Sequence, residues 1–345
     1  MADELAQGSG VASRQPSAER PAGTRRVGSR NALLSCAVLV LFCVPLTYPV
    51  LTTYSYTLQI MTTAFMWIAL ASSWNIIGGY AGYISLGHNV FLAAGAYFAG
   101  GVFAYQGVSP FIMAPVAGLL CVLLGTLVGA ITLRTSGPAF IISTIALMLI
   151  ARILFDNWDY LGGSNGLSVP LLDLETGLIK VPFYYGMLLC AIGAVYLSYR
   201  VRHSKFGLGL RAIAEDEVKA EVAGIDTRAY KIAAFALSGF FIGVAGALWG
   251  YSLFYLRPEA FLTLAVAADM VLMAIVGGRA TVAGPVIGAI LIVAFNEISV
   301  SQFGNSEINL AITGVLLMGA LLFFPAGVVG ALRERRRLPR ILDWD

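Results

Sequence analysis

Residues 110–132 read PFIMAPVAGLLCVLLGTLVGAIT, a block with no charged side chain that ends two positions before Arg134. The hydrocarbon core of a bilayer is crossed by a helix of roughly 20 mainly apolar residues, so this block alone is long enough to span it. Blocks of the same kind recur on either side, at 32–52, 54–78, 89–106, 139–156, 182–201, 230–255, 262–277, 283–299 and 307–331. Over the 345 residues 58% are hydrophobic and 12% charged, against about 25% charged in soluble domains, so a soluble fold would lack the side chains to make a surface. The expected fold class is all-α: a polytopic membrane protein of about ten transmembrane helices.

Lysine and arginine give the orientation, because cationic segments resist translocation and stay in the cytoplasm. With ten spans and a cytoplasmic N-terminus, the inside holds Arg14 to Arg30, Arg134, the cluster from Arg200 to Lys231, Arg279, and Arg333 to Arg340. Of the 22 lysines and arginines, only Arg152, Lys180 and Arg257 fall outside or at the outer edge. An odd number of spans would invert this pattern, so the partition predicts that both termini are cytoplasmic. The net charge of +3 is then a matter of topology and calls for no nucleic-acid partner. Residues 1–31, rich in Ala, Gly, Ser, Pro and Arg, are expected to form a disordered cytoplasmic tail rather than a cleaved signal. The transmembrane domain is expected over 32–331, with a polar cytoplasmic segment at 203–229 and a basic tail at 332–345.

Glycine has two uses here. Gly95, Ala99 and Gly100, then Gly118, Gly125 and Gly129, then Gly239, Gly243, Gly246 and Gly250 stand where small residues let helix backbones approach. Elsewhere glycine interrupts the spans. The run IIGGYAGYISLGHN, with Gly78, Gly79, Gly82 and Gly87, is too polar and glycine-rich for a regular lipid-facing helix, and non-helical backbone at that depth must face protein or a water-filled cavity. A second such run, GGRATVAGPVIGA, carries Gly277, Gly278 and Gly284. Both follow a span running inward and share Gly-Gly-x-Ala, which is compatible with two related halves broken at corresponding positions or with two independent glycine-rich turns.

The chain has no Gly-x-x-x-x-Gly-Lys-[Ser/Thr] loop and no Gly-Lys pair, so any use of ATP falls to a partner. Its two histidines, His88 and His203, lack the cysteine or carboxylate spacing of a metal site, and no catalytic residue is assigned. Cys36, Cys43, Cys121 and Cys190 lie in apolar blocks and read as inert thiols. Ionisable groups inside spans are costly, which singles out Asp269 as a pathway residue or a helix-to-helix hydrogen bond, and leaves Arg152 to snorkel outward. Asn75, Ser85, His88 and Asn89 around the first run, with Thr144, either line a polar pathway or satisfy backbone groups freed by the break. In the polar segment, residues 211–223 are strong helix formers and Gly224 is placed to end the helix, giving a short cytoplasmic helix with Ile213, Val218 and Val222 as apolar contacts.

Several stretches together resemble the membrane subunits of ABC importers for branched-chain amino acids. They are NIIGGYAGYISLGHNVFLAAGAY (75–97), DNWDYLGGSNGL (156–167), FGLGLRAIAEDEVKAEVAGIDTRAYK (206–231), RPEAF (257–261), the run from Gly277 to Ala289, and Pro325-Ala326-Gly327. The resemblance implies that a Glu-x-x-Ala-x-x-x-Gly helix docks on an ATPase subunit; here that is Glu217, Ala220 and Gly224, with Arg211, Glu215 and Asp216 nearby. It also implies a second homologous permease chain, two ATPase subunits that bind ATP and Mg, an extracytoplasmic solute-binding protein, surrounding lipid, and a place in the bacterial cytoplasmic membrane. This sequence departs from the pattern at Arg279 and Ala280, where related chains show Gly-Leu-Gly, and at Phe324, where arginine is frequent. Ser85-Leu86-Gly87-His88 is shared with urea- and short-amide-type members, which keeps that solute class open. An ion-coupled secondary transporter is the alternative of another class; it calls for several intramembrane carboxylates, and only Asp269 qualifies.

Overall fold

A computed structural model describes residues 55–170, 180–303 and 327–334, with Gly314 and Gly319 as isolated positions. All of these lie in the compact unit Phe42–Asp345, while the unit Met1–Leu41 falls outside them. The expected span at 32–52, both tails and most of the span at 307–331 likewise lie outside the described residues.

The long helices are α1 (Ser55–Asn75), α2 (Asn89–Gln106), α3 (Pro110–Thr132), α4 (Pro138–Asp156), α5 (Lys180–Arg202), α8 (Thr227–Ser252), α10 (Leu264–Gly278) and α11 (Ala283–Phe303). Between α5 and α8 lie two short helices, α6 (Lys205–Glu215) and α7 (Glu217–Val222). A single turn, α9 (Pro258–Phe261), leads into α10, and α12 (Gly327–Glu334) is the last among the described residues. Seven helical stretches among the described residues are long and apolar enough to cross a membrane. α2 is diluted by Asn89 and Gln106 at its ends, and most of it is buried by its neighbours. Outside the helices, Leu167–Ser168 (β1) and Tyr255–Leu256 (β2) form a two-residue antiparallel ribbon that ties the connection after α4 to the one after α8.

Prolines and glycines set the helix ends. Pro110 and Pro138 open α3 and α4, where a missing N–H is no loss, and Gly107 closes α2 with φ 70° while its N–H bonds the Phe103 carbonyl at 2.9 Å.

α8 is the hub, packing against α1, α2, α3 and α5. Its most apolar window is 67% buried, against 28% for α3 and 22% for α4, so α3 and α4 are peripheral and turn Leu119, Leu123, Leu127, Ile142 and Ile150 outward. The glycine stripe makes the hub possible. A Cβ on Gly95 of α2 would overlap the Gly243 carbonyl of α8, and one on Gly246 would overlap the Leu92 carbonyl of α2. On the α3 side, a Cβ on Gly125 would come within 2.8 Å of the Ala236 Cα. In lipid no hydrophobic force drives helix onto helix, so van der Waals contact at this range and interhelical hydrogen bonds hold the bundle. Cys121 belongs to the same contact, its Sγ lying 3.3 Å from the Phe91 carbonyl. A leucine at Gly246 has backbone, not a mobile side chain, as its obstacle. Gly246→Leu is expected to lower stability by at least the ~1–3 kcal/mol of an overpacked core, read as a fall in the thermal midpoint of the detergent-solubilised protein.

Candidate functional site

The first glycine-rich run leaves helical geometry in stages. Ile76–Tyr80 is a π-helical turn, 81–88 is irregular, and α2 resumes at Asn89. The second run is shorter than expected: α10 continues through Gly278, only 279–282 is non-helical, and Gly284 already lies in the first turn of α11. Gly284 and Gly288 serve instead as contact points, because a Cβ on Gly277 would overlap the Gly284 carbonyl and one on Gly288 the Met273 carbonyl.

The two breaks meet. Asn75, the last residue of α1, donates from Nδ2 to the Thr281 carbonyl at 2.8 Å and accepts from the Ala280 N–H at 3.0 Å. One side chain in the first break thus satisfies two backbone groups that the second break frees. A Cβ on Gly79 would overlap Asn75 Oδ1 and lie 2.8 Å from the Ala280 nitrogen, so only glycine lets the π turn come this close. Thr281 Oγ1 donates to the Gly278 carbonyl at 2.7 Å and accepts from the Gly284 N–H at 2.9 Å, which closes the second turn. Ala280 has φ 64°, the left-handed region that favours glycine, and this is a position where the resemblance expects glycine. The end of α5 touches both breaks: Arg202 donates to the Ala280 carbonyl and lies 6.0 Å from the Tyr80 ring centroid, and the Tyr80 hydroxyl pairs with Ser198 Oγ at 2.7 Å.

Asn75, Ser85, His88, Asn89 and Thr144 are all buried. His88 spans two elements, with Nδ1 2.8 Å from Ser85 Oγ and Nε2 2.8 Å from Ser238 Oγ on α8. The Ser238 proton goes to the Phe235 carbonyl at 2.7 Å, so Ser238 accepts from His88 Nε2–H, and a neutral ring whose Nδ1 accepts from Ser85 satisfies every bond. Asn89 Nδ2 reaches the Phe261 and Thr263 carbonyls, at 3.1 and 3.0 Å, across the turn between α9 and α10. Thr144 Oγ1 accepts from Leu86 N–H at 3.1 Å and donates to the Ile141 carbonyl at 2.9 Å. In this conformation the five side chains satisfy freed backbone groups and one another.

Asp269 stands apart, half-buried on α10 with no hydrogen bond or ion pair to any described residue. Ser72 Oγ, Ser73 Oγ and Asn89 Oδ1 are buried without a partner among the described residues; the two serines, one turn before the first break, escaped the sequence reading because isolated serines in a span carry no distinctive pattern. Arg152 pairs with Glu259 at 3.2 Å and Asp156 at 3.7 Å. Gly162–Gly166 spells Gly-x-Ser-x-Gly, but it lies in 3₁₀ turns after a helix rather than between a strand and a helix, so it is no nucleophile elbow.

The polar segment holds two helices where one was expected. Asp216 leaves helical geometry at φ −162° and caps α7, accepting from the Lys219 N–H at 3.1 Å; that bond holds its carboxyl below the usual carboxylate range. Ser204 caps α6 and Asp226 caps α8 in the same way. Gly224, at φ 87°, follows the last turn of α7, and Ile225 N–H bonds back to the Ala220 carbonyl at 3.1 Å, the Schellman pattern. Ile213 is buried, so the outward apolar contacts are Leu208, Val218 and Val222, the last 86% exposed, beside exposed Arg211 and Glu215. Glu217 and Ala220 face the bundle. The Glu217 carboxylate pairs with buried Lys231 of α8 and accepts from the Tyr83 hydroxyl in the first break. Burial opposes its ionisation, but these bonds outweigh burial and hold its carboxyl below the usual range. Lys231, counted in the sequence only as a topological charge, was detectable as a lysine one turn into an apolar helix.

Residues 56–323 match the family described as the permease component of branched-chain amino acid transport systems. The chain belongs to this family. A member of it is a transport permease component and not an enzyme, and this one is a multi-pass membrane protein. Among relatives, the high-affinity branched-chain amino acid transport system permease protein LivM of Escherichia coli is 27% identical over 82% of this chain and 72% of its own length. The LivH permease protein of the same organism is 26% identical over 51% of this chain and 54% of its own. The guanosine ABC transporter permease protein NupP of Bacillus subtilis is 25% identical over 54% of this chain and 55% of its own. No solved structure matches the chain.

The left-handed backbone costs alanine roughly 1–2 kcal/mol, and the extra freedom of glycine in the unfolded chain returns about 0.4–1 kcal/mol of any gain. Ala280→Gly is therefore expected to raise the thermal midpoint slightly, and Ala280→Val, β-branched in the same conformation, to lower it.

Proposed function

We propose that this permease is one membrane subunit of an ATP-driven importer for branched-chain or other hydrophobic amino acids in the bacterial cytoplasmic membrane. It works beside a second, homologous permease. Two separate ATPase subunits bind ATP and Mg, and an extracytoplasmic binding protein delivers the solute. The observation that carries this reading is the match along most of the chain to LivM, whose name states a high-affinity branched-chain amino acid transport system. LivH, a second permease protein of the equally named system, also matches, which supports pairing of two homologous chains.

The same reading keeps both termini and the 203–229 segment in the cytoplasm, supported by the lysine and arginine partition. The segment docks on the ATPase through Leu208, Val218 and Val222, with Arg211, Glu215 and Asp216 at the rim, while Ala220 and Gly224 shape α7 for that contact. ATP binding biases the membrane bundle between outward- and inward-open states, and the joined breaks are the part that gives. Asn75, Ser85, His88, Asn89 and Thr144 come to line the route when the breaks separate, and Asp269 is the polar group on the path. A zwitterion with an apolar side chain, handed over by a binding protein, needs few polar groups on its way, since a tight site inside the membrane would slow release. The match to a guanosine permease protein supports one further solute class, and the shared Ser-Leu-Gly-His run supports urea or short amides.

Vesicles containing the full importer and its binding protein are expected to accumulate labelled leucine when loaded with ATP, and not under a proton or sodium gradient alone. Unlabelled valine should compete, and guanosine and urea should not. Uptake driven by an ion gradient without ATP, or competition by guanosine in place of valine, would refute the reading. Val222→Asp places a charge in the docking surface and is expected to reduce copurification of the ATPase by about tenfold, the equivalent of ~1.4 kcal/mol. Asp269→Asn should slow uptake without changing which solutes compete.

A further inference from the structure

The polar segment is tied to the helix breaks from beneath. Gly82, at φ 76° in the first break, abuts α6: a Cβ there would lie 3.4 Å from the Cβ of Ala214. The next residue, Tyr83, donates its hydroxyl to Glu217 on α7. Lys231 pairs with the same carboxylate, donates to the Tyr83 oxygen at 3.1 Å, and holds its ammonium 4.8 Å from the Tyr83 ring centroid. Three elements that are separate in sequence, the first break, α7 and the start of α8, are thus joined at one point by charge-assisted bonds. The Lys231 side chain is 6% exposed and that of Glu217 32%, so the ammonium is shielded from water while the carboxylate is only partly so.

We propose that Tyr83, Glu217 and Lys231 form the link through which movement of the 203–229 segment reaches the first helix break. The inference rests on the importer reading and adds the residues that carry the motion. Tyr83 lies in irregular backbone, with its N–H on the Ile77 carbonyl at 3.2 Å, so a pull on its hydroxyl acts where no continuous helix resists. Beside the link is an open cleft of about 340 Å³ lined by Tyr83, Ile84, Pro138, Phe140, Ile213 and Glu217, which gives the break room to move. The displacement passes on, because the π turn at Gly79 packs on Ala280 and Asn75 bonds the second break. Arg202 and Ser198, at the end of α5 where the polar segment begins, grip the same pair of turns from the other side. Tyr83, Glu217 and Lys231 are positioning residues: they carry motion and need not touch the solute.

The test uses the assembled importer in vesicles, with labelled leucine as probe, and reads ATPase copurification, ATP hydrolysis and leucine uptake on the same preparations. Tyr83→Phe removes the hydroxyl and keeps the ring. Glu217→Gln removes the charge and keeps the shape. Both are expected to retain ATPase copurification and hydrolysis while leucine carried per ATP falls about fivefold or more, the lower end of a usual coupling energy. The exchanged double variant Glu217→Lys with Lys231→Glu should recover part of the ratio that Glu217→Lys alone loses. An unchanged leucine-to-ATP ratio in Tyr83→Phe and Glu217→Gln would overturn the link alone, as would a loss of uptake matched by an equal loss of ATPase copurification. Absence of ATP-driven uptake by the unaltered importer would overturn the importer reading and the link with it.

Discussion

Backbone polar groups inside a membrane have no water to bond, so a chain that breaks its helices there must satisfy the freed groups from within. Among the described residues this permease breaks twice, and the amide of Asn75, at the edge of the first break, satisfies two backbone groups of the second by bonding Ala280 and Thr281 across the interface. Gly79 is the steric condition for that contact, since any side chain would displace the Asn75 oxygen. The other buried polar side chains follow the same demand: His88 bridges Ser85 and Ser238, Asn89 reaches two carbonyls, and Thr144 holds Leu86. Polar groups that satisfy a closed break are also the ones released when it opens, so a structural role in one state and a pathway role in another are compatible.

Around this junction the bundle divides into a dense centre and a loose rim. α8 sits at the centre because its glycines let α2 and α3 approach to backbone contact, and that closeness stands in for the hydrophobic force that lipid does not supply. α3 and α4 keep their large apolar side chains on the outside. The first break packs against this hub and bonds the second through Asn75, and packed cores of this kind switch between discrete arrangements more readily than they deform.

The polar segment shows how a charged residue can mislead when it is read in one dimension. Arg211, Glu215 and Glu217 look alike in the sequence, yet the first two are exposed and the third is turned under the segment onto Lys231 and Tyr83. The helix formers at 211–223 suggested one helix; the Asp216 side chain competes for the backbone and starts a new one. Leu208 replaces Ile213 on the outer face because α6 starts at its own cap, Ser204, and packs Ile213 inward.

The sequence by itself determined the all-α membrane class, the order of the spans among the described residues, the two interruptions and the small-residue stripes. These are local properties: apolar length, charge and the absence of a side chain are the same in any conformation. Only the tertiary structure decided that the interruptions touch, that Ala280 adopts a left-handed backbone, and that Glu217 faces inward. Those facts depend on residues 134 to 206 positions apart being brought within hydrogen-bond reach, and hydropathy carries no record of which distant group a buried side chain will meet.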